Sequence, residues 1–309
     1  MYYVQSQMYL ILYTFDFVQK NMKKFTILFL LTIFFLGNAQ TVTEPKNNPE
    51  KWSQPYEPFR IVGNLYYVGT YDLASYLIVT NKGNILINTG LADSYPQIKT
   101  NIEKLGFKYK DIKILTLTQA HFDHMGAMAD IKKDTGAKLY VDEAELAELK
   151  SGGKSDYELG KYGVTFKPLN PDFLLKNNDK IKLGNTTLTL LHHPGHTKGS
   201  CSFIFETKDK DKIYKVLIAN MPSIIIDQKF SDVHTYPNMQ KDYAYTFDAM
   251  KKLYFDVWVA SHASQFDLHE KRKSGDTYNP KVFMDKENYF KELKELEDDY
   301  QKKVNEESK

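Results

Sequence analysis

Cysteine is nearly absent: the 309-residue chain has a single Cys, which cannot pair within the chain, so a disulfide scaffold is excluded. Charge of one sign is also missing. Lys20, Lys23 and Lys24 against Asp16 supply the whole net charge of +2, and the remainder is balanced, which gives no basis for a nucleic-acid or membrane-surface partner. No apolar run reaches the ~20 residues needed to cross a bilayer. Internal repeats and low-complexity tracts are lacking too. What is abundant is aromatic: 19 Phe and 22 Tyr supply far more burial than a disordered chain carries, so the composition is that of an ordinary globular protein.

The amino terminus reads as an address. Met22-Lys23-Lys24 opens a short basic stretch, Phe25 to Leu36 is apolar, and Gly37-Asn38-Ala39 is a small-residue exit before Gln40. These are the three parts of a secretory signal peptide, spanning 22–39, with 1–21 as an upstream extension and translation expected to start at Met22. A membrane anchor is the alternative, but no Cys follows the run to carry a lipid. The expectation is an exported, periplasmic protein without a stable membrane anchor.

Pro45, Pro49, Pro55 and Pro58 make 40–58 an arm, and 59–309 is expected to form one domain. Strands are expected at Leu65–Val68, Ser75–Thr80, Ile85–Asn88, Ile112–Leu117, Lys138–Val141, Ile181–Leu183, Thr187–Leu191, Cys201–Glu206, Tyr214–Ala219 and Val257–Ala260. Helices are expected at Tyr95–Leu105, Met125–Lys133, Glu143–Leu149, Gln240–Leu253 and Lys286–Lys302, and the Gly-rich stretch Ser151–Gly163 reads as a flexible loop. Strands and helices alternate in both halves, which argues for an α/β sandwich with helices outside the sheets.

Chemistry concentrates at strand ends. Thr118-Gln119-Ala120-His121-Phe122-Asp123-His124 follows the strand Ile112–Leu117, so an amide, two imidazoles and a carboxylate crowd one strand-to-helix turn. One His is more often structural than a ligand. Such a cluster would be costly to desolvate without a cation. His192-His193-Pro194-Gly195-His196-Thr197 ends a second strand, and Ser261-His262 a third.

With Gly69 to Leu77 and Ala260 to Phe266, these motifs resemble the metallo-β-lactamase superfamily, and within it subclass B3 and the GOB-type enzymes, where Gln replaces the first His. The resemblance runs from about Phe59 to the carboxyl terminus. It implies a four-layer αβ/βα sandwich and a zinc-dependent β-lactamase that opens penicillins, cephalosporins and carbapenems and so confers antibiotic resistance. It implies Gln119, His121 and His196 around one Zn2+, and Asp123, His124 and His262 around a second, one or two ions per chain. Zinc would activate the attacking water without any protein nucleophile, and Asp123 would serve as the catalytic residue that orients it. Ser223 is the candidate contact for the substrate carboxylate. The expected partner is a small-molecule β-lactam, with the protein a monomer.

Gln119, Asn88 in Ile87-Asn88-Thr89-Gly90, and Met221 depart from the wider superfamily; the GOB-type resemblance accommodates all three. His192, His193, His234 and His269 have no matching role and read as structural or exposed, and Cys201 as a small buried residue. Two alternatives stand beside the lactamase. One is a glyoxalase II-like thioesterase or a lactonase, disfavoured because Asn220-Met221-Pro222 lacks the metal-bridging Asp of those enzymes. The other is an inactive exported metal-binding protein, for which Gln119 and Asn88 are the argument.

Overall fold

The computed structural model describes residues 18–19 and 42–307. The expected signal peptide lies outside the described residues. Among the described residues no helix is long and apolar enough to cross a membrane.

Among the described residues, twelve strands form two sheets. The first holds seven in sequential order: β1 (Phe59–Val62), β2 (Leu65–Tyr67), β3 (Tyr76–Thr80), β4 (Gly83–Ile87), β5 (Ile112–Thr116), β6 (Lys138–Asp142) and β7 (Phe173–Leu175). The second runs β12 (Val257–Ala260), β11 (Lys212–Ala219), β10 (Cys201–Asp209), β9 (Thr186–His192), β8 (Lys180–Leu183).

Side-chain alternation sorts the layers. On β4, Ile85 and Ile87 join a core shared with Phe203, Phe205 and Val257 of the other sheet, whereas Leu86 between them joins a second core. That second core packs under helices α1 (Tyr95–Lys104), α2 (Phe122–Met125) and α3 (Met128–Thr135). After α4 (Leu146–Ser151), helices α5 (Met239–Met250), α6 (Leu268–Lys271) and α7 (Lys286–Glu307) contribute Tyr243, Phe247, Leu268, Tyr289 and Tyr300 to the core of the second sheet. Both sheets thus carry helices on the faces turned away from each other, the expected four-layer α/β arrangement.

Several local expectations need adjustment. The helix expected over Met125–Lys133 is two helices, because the Gly126 N–H leaves the helical pattern to bond Gly90 O at 2.8 Å. Asn88 is not the end of a strand but stands at φ 58°, a left-handed position that Asn tolerates. The Ser151–Gly163 stretch is anchored rather than loose: Asp156 accepts from the N–H groups of Glu158 (2.8 Å) and Leu159 (2.6 Å), and Tyr157 is buried. Strands β1 and β7 lie where no strand was expected.

Strand direction brings the chemistry together. β4, β5 and β6 are parallel, as are β11 and β12, and β9 runs antiparallel to β10, which runs antiparallel to β11. The carboxyl ends of β9, β11 and β12 therefore share one edge of their sheet. The two sheets are tied at the corresponding edge, where Cys201 N–H donates to Thr118 O (2.8 Å) and Ala74 N–H to Ser261 O (3.1 Å).

Candidate metal centre

The loop after β5 carries Gln119, His121, Asp123 and His124, with α2 starting inside it; the loop after β9 carries His196, and the turn after β12 carries His262. Gly126 lets α2 press against the neighbouring loop: a Cβ there would collide with the backbone at Ala92 N and Leu91 C. Thr89 N–H donates to His124 O (2.7 Å) and completes that contact.

Donor atoms of Asp123, His124 and His262 all lie within 4.8 Å of one another. Asp123 Oδ2 is 3.4 Å from His124 Nε2 and 3.4 Å from His262 Nε2. Next to it, His121 Nδ1 lies 3.2 Å from His196 Nε2 and 3.3 Å from Gln119 Nε2. The structure thus brings all six expected residues together, in two groups of three. Gln119 turns its amide nitrogen toward His121, while its Oε1 accepts from Asn220 Nδ2 at 2.9 Å.

Three of the four imidazoles are held from behind by an acceptor. His121 Nε2 faces Asp156 Oδ2 (3.1 Å), His196 Nδ1 donates to Ser223 O (2.7 Å), and His262 Nδ1 lies 3.5 Å from Asp72 Oδ2; His124 Nδ1 has beside it only the amide nitrogen Asn88 Nδ2, at 3.5 Å. Asp72 also accepts from Trp52 Nε1 (3.1 Å), pairs with Lys51 (3.1 Å) and caps Ser264 N–H (2.9 Å). Three tyrosine hydroxyls pin the loops: Tyr157 to His196 O (2.7 Å), Tyr243 to Ser223 O (2.8 Å) and Tyr236 to Thr197 O (3.3 Å).

Electrostatics follow from burial and these partners. Burial drives His124 down to about 3 against the pull of Asp123, and burial with the neighbouring His121 drives His196 down to about 4. Burial also opposes charge on His121 and His262, but Asp156 pushes the former up to about 9, and Asp123 with Asp72 push the latter up to about 9. Burial works against ionisation of Asp123, yet His124, His262 and His121 hold its carboxyl well below the usual carboxylate range.

The donors fit zinc. Four imidazoles and a carboxylate, without thiolate, match a catalytic site with open positions. His124 Nε2 is buried without a hydrogen-bond partner, the position of a nitrogen whose lone pair belongs to a cation. A cavity of about 260 Å³ opens over both groups, walled by the apolar side chains of Trp52, Phe122, Leu159, Met221 and Ile225. A larger cleft of about 410 Å³ between Arg60 and Arg272 gathers none of the six donors, so chemistry selects the smaller one.

Ser223 lines the cavity, with its Oγ 3.3 Å from His196 Nδ1. Of the residues expected to be structural or exposed, His193 is buried against Ser202 Oγ (2.8 Å), His192 pairs with Asp142 (2.7 Å), His269 meets Tyr71 O (2.8 Å), His234 is exposed, and Cys201 is buried. Sequence reasoning missed Asp72, Asp156 and the side chain of Asn220. For Asp156 a signal existed: Asp two and three residues before Glu158 and Leu159 is a turn-capping pattern.

A family model described as "Metallo-beta-lactamase superfamily" matches residues 70–209. Among solved structures, the chain is similar to the metallo-β-lactamase GOB-18 from Elizabethkingia meningoseptica, at 72% identity and a TM-score of 0.86, covering 87% of this chain and 99% of that one. It is also similar to the class B3 di-zinc metallo-β-lactamase LRA-12 from an Alaskan soil metagenome, at 60% identity and a TM-score of 0.83, covering 84% and 99%. A "Probable metallo-hydrolase" of Methanocaldococcus jannaschii is 30% identical over 136 residues, 44% of this chain and 64% of the relative, so the chain spans less than two thirds of that protein.

Proposed function

The chain belongs to the metallo-β-lactamase superfamily, and from that premise we propose that it is an exported, zinc-dependent β-lactamase of subclass B3, active on the amide bond of β-lactam antibiotics. The observation that carries this reading is the convergence of six donors at one edge of the paired sheets, beneath an apolar-walled cavity. The 72% identity to GOB-18 over nearly the whole of that enzyme supports it.

Zinc, when bound, supplies Lewis-acid polarisation of the lactam carbonyl and a nucleophilic water at neutral pH. The chain supplies the rest. Asp123, His124 and His262 would hold one ion, with Asp72 behind His262. His121 and His196, with Gln119, would hold the other, backed by Asp156 and the Ser223 carbonyl. Asp123, anionic and at the boundary between the two groups, is the acceptor that orients the attacking water. Trp52, Phe122, Leu159, Met221 and Ile225 exclude bulk water and face the apolar parts of the substrate. The Ser223 hydroxyl, at the wall beside His196, is the donor for the substrate carboxylate.

A thioesterase or lactonase is disfavoured by Asn220, which offers a neutral amide directed at Gln119 in place of the carboxylate those enzymes use. The deciding experiment is hydrolysis of a chromogenic cephalosporin by the purified protein. Turnover, lost on chelation and restored by zinc, is the expected result. Full turnover in a rigorously metal-free sample, or none with zinc, overturns the reading.

A further inference from the structure

Behind the two donor groups runs a chain of buried polar side chains. It starts at Asn88, whose Oδ1 accepts from the backbone N–H of Thr118 at 2.9 Å. Because a backbone N–H can only donate, that bond fixes which way the Asn88 amide points, and Asn88 Nδ2 donates to Thr118 Oγ1 at 3.0 Å. Thr118 Oγ1 is 3.0 Å from Ser261 Oγ, which is 3.2 Å from Asn220 Oδ1. Asn220 Nδ2 then donates to Gln119 Oε1 at 2.9 Å, and Gln119 Nε2 faces His121 Nδ1 at 3.3 Å. Asn88, Thr118 and Ser261 are wholly buried, and Asn220 and Gln119 nearly so.

Every donor in this chain points the same way, from Asn88 toward His121. The Gln119 oxygen is thereby occupied, and its nitrogen faces the His121 and His196 pair. The reverse sense also leaves each group a partner, through slightly longer contacts at Ser261 and Thr118. If Asn220 turns its oxygen to Gln119, the Gln119 nitrogen is taken up and its oxygen faces the two histidines. Ser261 then accepts from Asn220 and donates to Ala219 O, 3.3 Å away, while the Thr118 hydroxyl falls back on Asn88 Oδ1, also 3.3 Å away. A carboxamide nitrogen has no lone pair to give a cation, so only this second sense lets Gln119 act as a ligand.

We propose that Asn220 is the positioning residue that sets which end of the Gln119 carboxamide faces His121 and His196, and hence whether that group of donors is complete. The inference rests on the zinc reading given above, but it concerns metal affinity rather than turnover. Asn220 sits where it can do this because β11 and β12 are parallel with Ala219 beside Ala260, which makes Asn220 and Ser261 neighbours. Its backbone is held separately, through Asn220 N–H to Ser202 Oγ at 3.0 Å, leaving the side chain free to choose its sense.

Stepwise metal titration against a chromophoric chelator, with cobalt spectra to tell the two groups apart, tests the proposal. Asn220→Asp is isosteric and can only accept, so it holds the Gln119 nitrogen and frees the oxygen. The weaker of the two sites should tighten about tenfold, the scale on which groups behind a ligand act. Asn220→Ala should weaken it by a similar factor, with the Asp123 site unchanged in both. In a Gln119→Ala background both effects should vanish. Tightening that persists there would make the new carboxylate a direct ligand and overturn the proposal, as would an Asn220→Asp protein with wild-type affinities. Absent lactam turnover with these titration results intact would instead remove the lactamase reading and leave the positioning role standing.

Discussion

His121 presents Nε2 to the Asp156 carboxylate at 3.1 Å, while Nδ1, on the other edge of the same ring, faces Gln119 and His196. In the neutral ring that a metal requires, the carboxylate therefore selects the tautomer whose Nδ1 lone pair points into the site. Asp156 Oδ1 is committed to the N–H groups of Glu158 and Leu159, so Asp156→Asn would turn its NH2 toward His121 and favour the wrong tautomer. Zinc affinity of the His121 and His196 group should fall about 10–100-fold, read by chelator competition. Wild-type affinity in the variant would show that the ring needs no such partner.

The two groups of donors should differ in strength. Asp123, His124 and His262 combine an anion with two imidazoles, whereas Gln119 contributes at best a neutral oxygen. At limiting zinc the Asp123 group should fill first. Asp123→Ala should cost most of the turnover and the tighter ion, while Gln119→His should tighten the weaker site and keep activity. Metal analysis alongside lactam turnover checks the ranking, and near-normal zinc content in Asp123→Ala would reverse it.

Glu145 links stability to pH. It is buried beside Thr197, whose hydroxyl it accepts, and its Oε2 has no hydrogen-bond partner. Burial, only partly offset by Thr197 and His121, pushes its carboxyl up to about 7 from the ordinary 4.5. Between those values the folded state binds a proton that the unfolded chain has released, so stability falls as pH rises through the window. Removing the titration with Glu145→Gln should make the metal-free protein less pH-sensitive, by on the order of 3 kcal/mol between about pH 5 and about pH 8. Denaturant melts at the two pH values measure this; parallel pH dependence in wild type and variant would contradict it.

Gly126 is set by backbone rather than side-chain contact. Gly126→Ala places a methyl group against Ala92 N and Leu91 C, neither of which can rotate away. The expected cost is roughly 1–3 kcal/mol of stability, with α2 displaced and zinc held more weakly by Asp123 and His124. Thermal melting and zinc stoichiometry should move together; loss of stability with an intact site would show that α2 absorbs the shift.

The donors were legible in the sequence because they sit next to short, nearly continuous apolar strands, and β5 and β12 announce themselves by composition alone. What stands behind the donors was not. Asp156 lies 35 positions from His121 in a Gly-rich stretch that reads as loose, and only the fold brings them into contact. Asn220 and Ser261 meet because β11 pairs with β12 in parallel register, a long-range fact with no local trace. β7 escaped notice as a three-residue strand with Phe173 and Leu174 exposed, and β1 as a short run just past Pro55 and Pro58.

Gln119, His121, Asp123 and His124 hang from the first sheet, whereas His196 and His262 hang from the second. An ion gripped by donors from both is a rivet through the sandwich as well as a reagent. Ligand held only by the folded form adds about 4 kcal/mol when present at a thousand times its dissociation constant. Zinc starvation would then shorten the lifetime of the protein as well as silence it, because the unriveted fold opens more often to proteases. Selection for tighter metal capture and selection for persistence would act on the same six side chains.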